Sequence, residues 1–369
     1  MDTEDLEKYH KTVFKMTRHA IEEDQIIQHD ATPNSSFPGY LTPAQLVKCY
    51  SVDKLSCRGS GVTIAIIIAY HYANLQNDLN TYCNIFQMPR KNIIIHTMPG
   101  AKTNSEWAFE ECLDVQTICA IAPNANILVV EAKTASDGDL IAAINYAKQQ
   151  GATVVSMSWG GGEDSTALRF DSVFNGRVSY LASSGDVALQ LNYPASSPNV
   201  LAIGGTNLQL NSDGTRYKET VWSQGGAGMS RIFGLPQYQR GLGLVRRQMP
   251  DISAVADPNT GLIVCYGGRF YVVGGTSLSC PVIAGIVGCI NSQRLLLRKP
   301  VLNTNASSVN SVQMCLYKII YQNPSIYRQA LYDVTGGRDG NITATTGFDY
   351  CTGLGTPNAD YLSLYLMMV

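Results

Sequence analysis

Histidine is scarce in this chain, charge is thinner than usual, and long apolar runs are missing. Five of the 369 residues are histidine, namely His10, His19, His29, His71 and His96. None lies in a glycine- or serine-rich setting, so the habitual imidazole base of a serine or cysteine nucleophile is nearly excluded. Charged residues make up 15% of the chain, against about a quarter in an average soluble domain. With 45% hydrophobic residues and 33 glycines, much of the surface must be buried, as in one large, tightly packed unit. A net charge of −2 without basic clusters argues against nucleic acid or an anionic membrane as a partner. No apolar stretch reaches the roughly eighteen residues that span a bilayer. No linker of charge, proline or serine interrupts residues 41–369, and neither an internal repeat nor a low-complexity run is present.

What is there reads as alternating strand and helix. Strand-like runs at 62–68, 92–96, 126–131, 152–158, 177–182 and 200–204 alternate with helical periods near 75–86, 105–122, 136–150 and 164–175. That order predicts an α/β fold, a doubly wound and mostly parallel sheet flanked by helices. Hairpins are expected around Ser212-Asp213-Gly214 and Gly267-Gly268. The ten cysteines do not imply a disulfide framework in a chain this long. Cys112, Cys119, Cys280 and Cys289 fall in expected helices, where buried thiols act as small apolar groups.

Four pieces of sequence carry chemistry. Gly274-Gly275-Thr276-Ser277 precedes an apolar helix expected from Ser279, with Pro281 suiting its first turn. This places Ser277 where a helix N-terminus favours developing negative charge, either as a nucleophile or as an ordinary helix cap. On the helix from Ser105, Glu110 and Asp114 stand four apart and share a face. They form either a solvated acidic face or a pair close enough that one acid is pushed toward neutrality. Asp186 follows a strand end, where a parallel sheet lines its crevice. It is either a turn residue or an acid placed to donate to an oxyanion. Ser158-Trp159-Gly160, at another strand end, offers backbone to an extended peptide.

Taken together and in this order, these pieces resemble the sedolisin family of serine-carboxyl peptidases, from about Leu41 to the C-terminus. A subtilisin, by contrast, would show an Asp after the first strand and a His-Gly-Thr opening the next long helix. Neither is present. The resemblance implies a subtilisin-like fold and an endopeptidase or tripeptidyl-type exopeptidase acting on peptide or protein. In that reading Ser277 is the nucleophile, Glu110 its general base, Asp114 the acid that orients Glu110, and Asp186 the oxyanion-hole aspartate. The segments Asp333-Val334-Thr335 and Thr345 to Gly355 resemble the family's calcium site. That likeness implies a structural calcium ion held by Asp333 and Asp349 with carbonyls of Val334, Thr345 and Gly347.

Two departures are visible. The family's buried Glu at the end of the first strand is replaced by Ile68, which predicts an altered tuning of Glu110 and an optimum nearer neutrality. The segment after Asp186 is short, so pocket specificity does not carry over. Residues 1–40 form an extension before the 41–369 peptidase-like domain, and Met1-Asp2-Thr3-Glu4-Asp5-Leu6 is too acidic for a signal peptide. If complete, the chain is expected to work inside a cell or particle. A non-catalytic relative kept as a structural or binding protein is the alternative reading, and a hydrolase with an unplaced histidine is a third.

Overall fold

The computed structural model describes residues 39–368 and, as backbone strands only, Lys15–Met16 and His19–Ala20. Most of the expected N-terminal extension, with His10 and His29, lies outside the described residues. The central sheet uses β1 (Thr63–Ala69), β2 (Ile94–Thr97), β3 (Asn126–Ala132), β4 (Val154–Met157), β5 (Ser179–Ser183), β6 (Leu201–Leu210), β7 (Arg216–Val221) and β8 (Ile252–Val255). Their order is β7-β6-β5-β4-β1-β3-β2, with β8 also on β6. Every pairing is parallel except β6 with β7. The chain winds outward from β1 to one edge and then back across to the other, the doubly wound pattern expected. A run such as Ile64-Ala65-Ile66-Ile67-Ile68 is wholly buried because helices cover both faces, and so it shows no polar alternation.

The principal helices are α1 (Leu75–Ile85), α2 (Ser105–Ile121), α3 (Asp137–Gln149) and α4 (Thr276–Leu296). Helices α2 and α4 pack on each other over the sheet, and two glycines set how closely. A Cβ at Gly285 would stand 2.6 Å from Cγ2 of Ile121, and one at Gly288 would stand 2.5 Å from Cδ1 of Ile64. Any larger residue would push α4 off α2 and off β1, in a core too dense to yield. The side chain of Asn104 caps α2 by accepting from the N–H groups of Glu106 and Trp107. From Trp107 to Ile121 every residue of α2 is buried, since α4, α1, the hairpin at 262–274 and the sheet surround it.

Three expectations are corrected here. The helix foreseen at 164–175 shrinks to Ala167–Phe170 and a tight turn at Asp171–Val173. Asp164 turns back to accept from the Thr166 N–H at 2.7 Å, and such local bonds compete with helix. The strand foreseen at 152–158 splits, with β4 ending at Met157 and Trp159–Gly162 leaving for a separate small sheet. Ser158 is the corner between them. The helix expected from Ser279 begins at Thr276, so Pro281 lies inside it. Both hairpins are present, and the one at 267–268 has positive φ at both glycines, 59° and 74°. Among the described residues no helix is long and apolar enough to cross a membrane.

Candidate active site

Gly275, at φ 92°, turns the strand Arg269–Gly274 into α4 and leaves Ser277 as the second residue of the helix. A residue with a Cβ is strained at that φ. Pro281 then matters in a different way from that expected. It has no N–H to give the carbonyl four residues back, which is that of Ser277. The Ser277 carbonyl instead accepts from Ser158 Oγ at 3.3 Å, while Ser277 Oγ donates to the Ser158 carbonyl at 3.3 Å. The corner after β4 and the start of α4 are thus tied together.

Ser158 also reaches the acid pair, donating from Oγ to Asp114 Oδ1 at 2.6 Å. Glu110 and Asp114 are both fully buried, which overturns a solvated acidic face. Burial, with the neighbouring Glu110 charge, pushes the Asp114 carboxyl well above its ordinary range, and the Ser158 hydrogen bond offsets only part of this. The pair titrates as a unit. Asp186 is half-buried. Its Oδ1 accepts from the Thr276 N–H at 2.8 Å and the Thr276 hydroxyl at 2.7 Å. Thr276 lies next to Ser277, so Asp114 and Asp186 bracket the serine through Ser158 and Thr276.

The residues after Ser158 form a strand of a small sheet. Trp159–Gly162 is flanked by Asn192–Tyr193 on one side and Lys15–Met16 on the other. A Cβ at Gly160 would stand 3.1 Å from the Tyr193 carbonyl. The Trp159 indole N–H donates to the Ile67 carbonyl at 2.8 Å and anchors the strand to β1.

A second group of acids was not foreseen. Ile68 is paired in register with Glu131 of β3, so the corner expected to have lost an acid holds one on the neighbouring strand. Glu131 is fully buried and accepts from the Tyr72 N–H at 2.9 Å and the Thr97 hydroxyl, with His71 Nδ1 at 2.8 Å. Glu111, buried beside Glu110, hydrogen-bonds to Glu131, and burial and the Glu131 charge push its carboxyl well up. One sequence signal could have found this, because Glu131 is the lone acid in the apolar run Ile127-Leu128-Val129-Val130-Glu131-Ala132. His71 is thereby engaged with Glu131, and His96 stacks on Tyr146 with ring centroids 3.7 Å apart.

At the distant end of the chain, both acids of the expected calcium site converge on one loop. Asp333 accepts from the Gly347 N–H at 2.9 Å, and Asp349 from the N–H groups of Cys351 and Thr352 at 2.7 and 2.9 Å. Burial pushes the Asp349 carboxyl up. Positive φ in this loop falls at Gly347, Gly353 and Gly355, at 82°, 64° and 90°, and Thr345 needs none. Two carboxylates at one turn are oxygen donors of the kind a hard cation takes.

Comparisons with known proteins bear on the family and the fold. Residues 61–306 match the Subtilase family. Kumamolisin of Bacillus sp. (strain MN-32) is 30% identical over 381 residues, covering 89% of this chain and 64% of that protein. Sedolisin of Pseudomonas sp. (strain 101) is 33% identical over 192 residues, 48% of this chain and 30% of that protein. Tripeptidyl-peptidase 1 of Dictyostelium discoideum is 27% identical, covering 89% of this chain and 59% of that protein. This chain therefore spans less than two thirds of the length of each. The structure of Pseudomonas sedolisin, a serine-carboxyl proteinase complexed with two molecules of pseudo-iodotyrostatin, superposes with a TM-score of 0.78 at 24% identity. It covers 90% of this chain and 99% of that one, and at that identity it speaks to the fold.

Proposed function

Since this chain belongs to the sedolisin family, we propose that it is a serine-type peptidase that hydrolyses peptide bonds with Ser277 as nucleophile and Glu110 as base. The observation that supports this most is the hydrogen-bonded path from Ser277 through Ser158 to buried Asp114, with His71 and His96 engaged elsewhere. Glu110 takes the Ser277 Oγ proton as Oγ attacks the scissile carbonyl, and returns it to the leaving amine. Asp114, held neutral by burial and by Glu110, donates toward Glu110 and fixes its orientation. Asp186, anchored on Thr276 through Oδ1, presents a proton on its other oxygen to the developing oxyanion. The backbone of Ser158, Trp159 and Gly160 pairs with the substrate as an added strand.

The acid pair needs Asp114 neutral, so activity should fall as pH rises through the raised range of that carboxyl. Peptide or protein is the substrate in this reading, by endo- or tripeptidyl cleavage. We propose a structural calcium ion at Asp333 and Asp349, with the carbonyls of Val334, Thr345 and Gly347, stabilising the C-terminal loop and taking no part in chemistry.

Titration with a peptide aldehyde tests the assignment. One equivalent should abolish hydrolysis of a mixed peptide library, and Ser277→Ala should bind no adduct. A chain that hydrolyses no peptide between about pH 3 and pH 8 and forms no adduct is a binding protein on this fold.

A further inference from the structure

Tyr70 is held in a backbone conformation that its side chain disfavours. It follows β1 in the left-handed region, at φ 67°, where a Cβ crowds the next carbonyl and glycine is the usual occupant. Three successive N–H groups fix it there. That of Tyr70 donates to the Ala132 carbonyl at 2.8 Å, that of His71 to the Lys102 carbonyl at 2.9 Å, and that of Tyr72 to the Glu131 carboxylate at 2.9 Å. Strain of this kind persists only where the surroundings impose it, and it gathers at functional sites.

The turn lies at the mouth of the cleft. Strands β1 and β4 are parallel with Ile66 beside Ser156, so the same register carried on two residues sets Ile68 beside Ser158. Tyr70 comes next, at the carboxyl ends where the crevice of a parallel sheet opens. Helix α2 joins the parallel strands β2 and β3, so it runs back against them and starts at the same edge. Trp107 is in its first turn and shares a face with Glu110, three residues deeper.

The half-buried Tyr70 ring meets the buried Trp107 indole edge to face, with centroids 6.1 Å apart and planes at 62°. Phe109, the residue before Glu110, carries the rings onward, with Tyr266 and Tyr271 at 5.0 and 5.1 Å from it. Glycine at position 70 would ease the backbone and leave the indole without this neighbour. The ring is therefore kept against a local cost.

We propose, resting on the peptidase reading above, that Tyr70 is a specificity-determining residue whose ring, backed by Trp107, takes an apolar side chain of the peptide within two residues of the scissile bond. An aromatic side chain fits best, because it gains both burial and ring contact there, whereas glycine gains neither.

Position-resolved cleavage of a mixed peptide library tests this. At one position within two residues of the cut, the wild type should prefer aromatic residues to glycine by at least about tenfold. Tyr70→Phe should keep that preference to within about threefold, since the ring carries it. Tyr70→Gly and Tyr70→Asn both suit the left-handed backbone. Each should weaken the preference at least about fivefold and leave preferences at the other positions as they are in the wild type. An unchanged preference in both variants, or a rate loss equal for every peptide, makes the ring structural and overturns the inference while the peptidase reading stands. So does a wild type that cuts with no aromatic preference near the bond. A wild type that cuts no peptide overturns both. Thermal melts add a readout free of chemistry. Tyr70→Gly should melt above Tyr70→Ala, because both lose the ring and only glycine is at ease at that φ. The reverse order would overturn the strained turn on which the inference stands.

Discussion

Asp251, just before β8, and Asp114, on α2, are both fully buried acids, yet the chain treats them in opposite ways. Asp251 receives Arg247 Nη1 at 2.5 Å and Nη2 at 2.6 Å, the Tyr317 hydroxyl at 2.9 Å and the Ala202 N–H at 2.9 Å. Its oxygens are filled by a fork-shaped cation and neutral donors, the arrangement that holds a buried charge in place. Asp114 has Ser158 as donor and another acid as neighbour. Burial and that neighbour push its carboxyl up. A buried acid matched by a cation is a structural brace, and one facing a second acid is a proton store.

The comparison breaks first at catalysis. Ser277→Ala or Glu110→Gln should each lose about four to six powers of ten in turnover, with the double variant scarcely worse, because such residues act as a unit. Steady-state kinetics on one peptide reads this. The structural brace should answer in stability instead. Arg247→Met leaves Asp251 buried without its cation and should cost about 3–5 kcal/mol, whereas Arg247→Met with Asp251→Leu should cost less. Urea unfolding of both variants checks the order.

Chelation comes next. If calcium fills the loop of Asp333 and Asp349, removing it from a level near a hundred times its dissociation constant should withdraw about 2.7 kcal/mol and lower the melting temperature. An unchanged melting temperature, with no calcium found by metal analysis, would leave only a loop. The smallest effect is the slope of stability with pH. Asp114 has a folded pKa above its unfolded one, so the folded chain binds the extra proton. Its contribution is complete below the unfolded value near about 4 and is lost as pH rises toward the folded one, by up to about 1.4 kcal/mol per pH unit. Glu111, raised for similar reasons, adds to the slope. Asp114→Asn should flatten it in thermal melts taken from pH 4 upward.

Local features carried most of the sheet in the sequence. The five-residue apolar run of β1 and the Asn-capped α2 announced themselves by composition and spacing, and the glycines before Ser277 announced the turn. The failures arose where tertiary contacts decide. Helix 164–175 gave way because Asp164 bonds its own backbone. The start of α4 lies earlier than Pro281 suggests because Ser158, far away in sequence, takes over the carbonyl that the proline leaves unbonded. The neutrality of Asp114 depends on burial from every side of α2, which an i,i+4 spacing cannot report. Glu131 was overlooked because its closeness to Ile68 and Glu111 is a matter of strand register and not of sequence distance.

The central claim is that buried carboxyls, without histidine, drive Ser277. It is tested most directly by the pH profile of kcat/KM for the wild type beside Ser277→Ala on one peptide. The account predicts hydrolysis that declines as pH rises through the raised range of the Asp114 carboxyl, and none in Ser277→Ala. Hydrolysis that persists in Ser277→Ala, or that rises with pH through the range where an imidazole loses its proton, would contradict it.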